Sequence, residues 1–149
     1  INVRPNVLPS REEYVRKVRA MLSLVGQSGG FVKASDEDLA WLVDFKEEPL
    51  GAAQRISREF SLEFVVVTLG SDGAVAMGPD GELARVAGHH VEVVDTVGAG
   101  DTFNAGFLQV FDGNNLEDAL RRGVAASALV CTRAGAQPPT SEEVDAFLA

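Results

Sequence analysis

The chain has 149 residues, 46% of them hydrophobic and 23% charged, enough apolar material for one compact core without staples. Its 22 acids against 13 bases give a net charge of −9, which argues against duplex nucleic acid or an anionic membrane as main partner and leaves room for a small anion in a local pocket. One cysteine, Cys131, allows neither an internal disulfide nor a metal cluster, and no apolar run reaches the roughly 18 residues of a membrane span, so a soluble cytoplasmic protein is expected.

In chain order, Ile1 leads directly into Asn2-Val3-Arg4-Pro5, as an interior stretch of a longer chain would. Ser10-Arg11-Glu12-Glu13 has the spacing of a capping box, and Tyr14, Val18, Met21, Leu22 and Val25 fall on one face of the helix behind it. Gln27-Ser28-Gly29-Gly30 ends that helix. A short strand is predicted at residues 31–34, then a second helix capped at Ser35 with Leu39, Leu42 and Val43 inward. Pro49 suits a first helical turn, with Leu50, Ala53, Ile56 and Phe60 at helical spacing. Residues 64–69, Phe-Val-Val-Val-Thr-Leu, form a β-branched run typical of a strand covered on both faces. Two short strands about Gly78-Pro79-Asp80-Gly81 read as an edge hairpin, and residues 90–94 as a further strand. Helices follow from the glycine turn at 98–100 with Phe103, Phe107, Val110 and Phe111 on one side, over residues 116–132 with many alanines, and after Thr140-Ser141-Glu142-Glu143. Cys131 is expected to be a small buried hydrophobe, Trp41 to serve packing, and His89 and His90 to lie exposed at a strand start. Helices interleaved with buried strands imply a layered α/β architecture.

Residues 93–107 run from a predicted strand through Gly98-Ala99-Gly100 into an amphipathic helix. That geometry makes an anion site, because the amides of Ala99, Gly100 and Asp101 would be unpaired at the helix start, with the helix dipole behind them. A carboxylate at Asp101 would repel a bound phosphate. It makes sense either as a proton acceptor for a hydroxyl attacking phosphorus or as a plain N-cap.

The stretch Asp95-Thr96-Val97-Gly98-Ala99-Gly100-Asp101-Thr102-Phe103-Asn104-Ala105-Gly106 closely resembles the C-terminal signature of the ribokinase-like, or PfkB, family of carbohydrate kinases. The resemblance implies a three-layer α/β/α sandwich, of which residues 1–149 would be a single α/β piece, the C-terminal nucleotide-binding portion with an edge hairpin. It implies Asp101 as the base and Gly98, Ala99 and Gly100 as the anion hole. Thr68-Leu69-Gly70-Ser71-Asp72-Gly73 is similar to the family's nucleotide loop, with Thr68, Gly70, Ser71 and Gly73 along the ATP phosphates. Asn2 and Arg4 are similar to the sugar-facing positions of fructokinase-like and ketodeoxygluconate kinase-like members; read on its own, Arg4 is equally a solvated arginine. Ser35 and Asp38 stand where many members carry a motif linked to Mg²⁺ and phosphate, and the two are also a good capping pair. The loop at Arg133 and Gly135, with main-chain oxygens near Asp95 and Val97, resembles a monovalent cation site suited to K⁺. By the same resemblance the helix at residues 116–132 walls the adenine pocket, small residues there being equally explained by packing.

The function implied is ATP-dependent phosphorylation of a sugar by a fructokinase-like enzyme, homodimeric at full length, with ketodeoxygluconate, ribose or a nucleoside as alternative acceptors. A nicotinamide-dependent oxidoreductase is disfavoured because position 103, where a third glycine would fall, is Phe103. A non-catalytic nucleotide-binding module is the reading against which the intact Asp101 and glycine turn argue.

Overall fold

The computed structural model describes residues 1–4, 10–44 and 46–149. They divide into two compact units, Ile1–Leu69 with Val75–Leu83, and Gly70–Ala74 with Ala84–Ala149. Among the described residues no helix is long and apolar enough to cross a membrane.

The first unit begins with α1 (Arg11–Gln27), capped by Ser10, whose hydroxyl accepts the Glu13 N–H. Only half of the expected capping box forms, because Glu13 turns its carboxylate to Lys17, one helical turn on. Val18 and Leu22 enter the core while Met21 lies more than half exposed, so the buried stripe is narrower than the predicted face. β1 (Val32–Ser35) runs into α2 (Asp36–Leu42), and α3 (Pro49–Phe60) leads to β2 (Val65–Thr68). Two helices between β1 and β2 are the crossover that lets these strands pair in parallel, Val32 opposite Val65 and Ser35 opposite Thr68. β3 (Ala74–Gly78) and β4 (Gly81–Val86) complete a sheet of order β1-β2-β3-β4. Pro79 and Asp80 alone join the last two, a connection that only antiparallel neighbours can make. β3 is buried at all five positions and β4 at none, as expected for an inner strand and the sheet's edge. Val65, Val67, Val75 and Met77 pack with Leu22, Leu39 and Ile56 from the three helices. Trp41 serves packing here, edge-on to Tyr14.

The second unit contains α4 (Ala99–Val110), α5 (Leu116–Cys131) and α6 (Ser141–Leu148). α4 and α5 are pressed together by small residues: a methyl group on Gly106 would lie 2.9 Å from both Ala126 Cβ and the Arg122 carbonyl oxygen. Phe103 and Phe107 fill the remaining space. α6 closes over Ala125 and Ala126 with Val144, Phe147 and Leu148, and its start carries a complete capping box between Thr140 and Glu143.

The strand expected at residues 90–94 is absent. Its alternation is real, but the Val94 and Asp95 amides donate to the Cys131 carbonyl at 2.8 and 3.2 Å, one of the oxygens a helix end leaves free. Val93 and Val94 stay 60% and 59% exposed. His89 therefore begins no strand. Its ring rests edge-on against Phe147 and its Nε2 is buried with no hydrogen-bond partner among the described residues. Cys131 is half-buried rather than wholly enclosed.

Candidate active site

The glycine turn at the start of α4 is built by its backbone. Gly98 is the N-cap, in the left-handed region at φ +82°, and makes no side-chain cap. An added Cβ there would also meet Ala136 Cβ at 3.0 Å, so conformation and space both call for glycine. The Thr102 N–H donates to the Gly98 carbonyl at 2.8 Å, the first bond of the helix. Of the three amides predicted to be unpaired, Ala99 is not, since it donates to the Thr96 carbonyl at 3.2 Å. The reason is local: the turn at residues 96–99 closes on itself before the helix begins. The Gly98, Gly100 and Asp101 amides have no partner among the described residues.

Asp101 occupies the third position of α4, not its cap. Its side chain is exposed and has no hydrogen bond or ion pair among the described residues. A carboxylate is thus held by a rigid helix beside two unpaired amides at the positive end of the helix dipole, accessible to a solute.

Asp95 braces the turn from outside. One carboxylate oxygen accepts the Val97 N–H at 3.0 Å and the other the Gly135 N–H at 2.9 Å. These bonds, Val97 first and then Gly135, hold its carboxyl below the ordinary carboxylate range. The two stretches expected to share a monovalent cation, Asp95 with Val97 and Arg133 with Gly135, are therefore neighbours. The Arg133 side chain itself pairs with Glu143 at 2.7 Å.

The predicted nucleotide loop spans both units, with half-buried Thr68 closing β2 in the first and Gly70, Ser71 and Gly73 in the second. Gly70–Asp72 make a single 3-10 turn, exposing Gly70 and Ser71. Gly73 is buried at φ +100°, and a Cβ on it would come within 2.1 Å of the Val86 carbonyl oxygen. The turn must pass against the strand leaving β4, so packing alone already requires this glycine.

In the first unit, Asn2 and Arg4 are exposed on either side of buried Val3. The Asn2 carbonyl accepts the Tyr14 hydroxyl at 2.9 Å, and the Arg4 guanidinium makes no hydrogen bond or ion pair among the described residues. Ser35 and Asp38 form the reciprocal capping box of α2, with the Asp38 N–H to Ser35 Oγ at 3.0 Å and the Ser35 N–H to Asp38 Oδ2 at 3.3 Å. Asp38 Oδ1 accepts the Val3 N–H at 2.8 Å. Each carboxylate oxygen thus already accepts one backbone N–H, and among the described residues no group of three or more His, Cys, Asp or Glu side chains could hold a metal. These residues do not fit a protein-built Mg²⁺ cage. They are compatible with a Mg²⁺ carried chiefly by phosphates, the usual mode for this ion.

Sequence reasoning missed a buried arginine. Arg122 of α5, 9% exposed, donates to Gln109 Oε1 of α4 at 2.8 Å, to the Ser141 carbonyl, and to Asp145 of α6, joining the three helices. One signal was available: Arg122 shares the helical face of Ala119, Ala126 and Ala125, where a charge needs partners.

The family model for pfkB family carbohydrate kinases matches residues 2–143. An ATP-dependent ribose-1-phosphate kinase of Halopiger xanaduensis is 40% identical over 118 residues, 77% of this chain and 37% of that protein. A fructokinase of Rhizobium leguminosarum bv. trifolii is 34% identical over 132 residues, 82% of this chain and 38% of its own. Among solved structures, aminoimidazole riboside kinase from Salmonella enterica, complexed with aminoimidazole riboside and an ATP analog, superposes with a TM-score of 0.84 at 25% identity, covering 100% of this chain and 50% of that one. A double mutant of Vibrio cholerae fructokinase, in a form with fructose, ADP and potassium ion, gives 0.84 at 28% identity over 99% of this chain and 48% of that one. The chain thus spans under two-fifths of these curated relatives and about half of these solved chains. With a ribokinase-like α/β fold and a family match over nearly its whole length, the chain belongs to the pfkB family of carbohydrate kinases.

Proposed function

We propose that this chain is the nucleotide-side part of an ATP-dependent sugar kinase of fructokinase-like type, which transfers the γ-phosphoryl group of ATP to a primary hydroxyl of a sugar. The observation that carries the reading is the exposed, unpaired Asp101 carboxylate beside the unpaired Gly100 and Asp101 amides at the start of α4. The attacking hydroxyl gives its proton to Asp101 as its oxygen bonds to the γ-phosphorus, and the bond to the ADP oxygen breaks on the opposite side. The amides of the Gly98–Gly100 turn and of Asp101 face the equatorial oxygens, where negative charge is greatest, while Ala99 shapes the bend with its own amide turned inward. Mg²⁺ brought in with the ATP phosphates would supply charge neutralisation. Thr68, Gly70, Ser71 and Gly73 lie along the ATP phosphates, and Asn2 and Arg4 reach the sugar. In the same reading, main-chain oxygens near Asp95, Val97, Arg133 and Gly135 would hold a K⁺ ion. A longer PfkB-type domain that includes residues 1–149, its homodimer, and a cytoplasmic location belong to it too.

A second reading is a ribose-derived acceptor, favoured by the 40% identity to the ribose-1-phosphate kinase. Both are tested in the full-length protein by ADP release with fructose, ribose, ribose-1-phosphate, ketodeoxygluconate and a nucleoside. Fructose is expected to give the highest kcat/KM. Asp101→Asn should bind ATP within a few-fold of the parent and lose about 10²–10⁴ in turnover, the range for a positioned base. Retained turnover would reject Asp101 as the base, and ATP use unaffected by every acceptor would reject the kinase reading.

A further inference from the structure

We propose that the Arg133–Glu143 pair is a positioning device for the glycine turn. The inference rests on the phosphotransfer reading above and concerns side chains that this reading leaves without a role. Glu143 splits its carboxylate, one oxygen accepting from Arg133 Nη2 and the other from the Thr140 N–H, both at 2.7 Å. Arg133 also aims Nη1 at the Gln137 and Pro138 carbonyls, each at 3.4 Å. One guanidinium and one carboxylate thereby fold residues 133–140 onto the first turn of α6.

That loop touches the candidate active site at two points. The Gly135 N–H donates to Asp95, whose other oxygen holds the Val97 N–H. Ala136 sits directly against Gly98, close enough that an added Cβ on the glycine would meet the alanine Cβ at 3.0 Å. The bend that presents the Gly100 and Asp101 amides is therefore backed by a loop whose shape the pair sets. The path is continuous, from Glu143 through Arg133 to the loop, and from Gly135 and Ala136 to Asp95 and Gly98.

Magnitudes separate this role from a purely structural one. The side chains of Arg133 and Glu143 are 28% and 46% exposed, and exposed or partly exposed ion pairs contribute little to global stability. Phosphoryl transfer, in contrast, is sensitive to sub-ångström placement of the groups that meet the transition state. Breaking the pair should leave the protein folded and ATP bound while slowing the chemical step.

The test uses the full-length enzyme with Arg133→Met, Glu143→Gln, the double variant, Arg133→Lys, and Arg121→Met as a control that breaks an exposed one-turn pair with Glu117 on α5. Arg133→Met and Glu143→Gln should each lower kcat about tenfold with KM for ATP changed less than about twofold, as loss of transition-state alignment requires. The double variant should be no slower than the slower single, Arg133→Lys should recover part of the loss, and Arg121→Met should match the parent. The proposal is overturned if Arg133→Met keeps kcat within about twofold of the parent, if the singles multiply in the double variant, or if lost activity simply tracks lost folded protein. Asp101→Asn, assayed alongside, separates the two ideas. Full activity there removes the phosphotransfer reading, whereas an inactive Asp101→Asn beside a fully active Arg133→Met removes this inference alone.

Discussion

Replacing Gly98 by alanine tests the geometry of the turn in two separable parts. The first is backbone strain: Gly98 sits at φ +82°, ψ 0°, and an L-residue forced into the left-handed region costs about 1–2 kcal/mol. The second is crowding, because the new methyl would stand 3.0 Å from Ala136 Cβ, and overpacking adds about 1–3 kcal/mol where the neighbour cannot retreat. Ala136 is exposed but its loop is held by Gly135 and Arg133, so only part of that strain can relax, and a total of about 2–4 kcal/mol is expected. That lowers Tm by several degrees, read by thermal unfolding of the full-length protein. Gly98→Ala combined with Ala136→Gly removes the crowding and leaves the strain, so it should recover part of the loss and no more. Turnover should remain low in the double variant, because the bend that aims the Gly100 and Asp101 amides is still deformed. An unchanged Tm in the single variant, or complete recovery of Tm and kcat in the double, would show that the turn does not need its left-handed glycine and refute the reasoning.

Two further outcomes are expected. Arg122→Met leaves Gln109 and the Ser141 carbonyl without their charged donor; Asp145 is 65% exposed at its side chain and recovers water, so the loss should be about 2 kcal/mol by denaturant titration, and a change below about 0.5 kcal/mol would mean that the three helices do not depend on this guanidinium. Cys131 should react slowly with a thiol reagent at pH 8, because burial first and the Asp95 charge second raise its pKa; with the folded pKa above that of a free thiol, the thiolate is scarcer at every pH below it and the rate profile moves to higher pH, whereas a profile matching free cysteine would contradict the packing around α5's end.

The elements were legible wherever local chemistry and burial agree. α3 could be read from Pro49 and its spaced apolar residues and β2 from an unbroken β-branched run, where helical or extended spacing and burial coincide, and the β3–β4 hairpin from Gly78 and Gly81 around Pro79 and Asp80, where turn chemistry alone marks the reversal. Residues 90–94 have the pattern of a strand without forming one, for the opposite reason. Alternation marks a segment able to be a strand, but a strand exists only where a neighbour accepts its hydrogen bonds, and here the nearest free acceptor is the carbonyl of Cys131, 37 positions on from Val94 in the chain. Spacing alone puts Met21 on the buried side of α1, while the width of a buried stripe depends on what packs against it, and Met21 stays exposed.

The same division runs through the candidate site. Asp101 and the glycine bend are encoded in one contiguous stretch, so composition and order suffice to propose a carboxylate beside unpaired amides, and the coordinates place that carboxylate in the open at the third helical position. What holds the bend in place is non-local. Gly135 reaches Asp95 across 40 positions and Arg122 reaches Asp145 across 23, and no periodicity links such pairs. Ser35 and Asp38 show the converse hazard: their oxygens carry the right chemistry for an ion, yet each Asp38 oxygen already accepts a backbone N–H, from Ser35 in the cap and from Val3. An oxygen ligand can be named from a sequence only after its competing backbone donors are counted, and at Asp38 that count leaves neither carboxylate oxygen without an amide donor, whereas at Asp101 it leaves both.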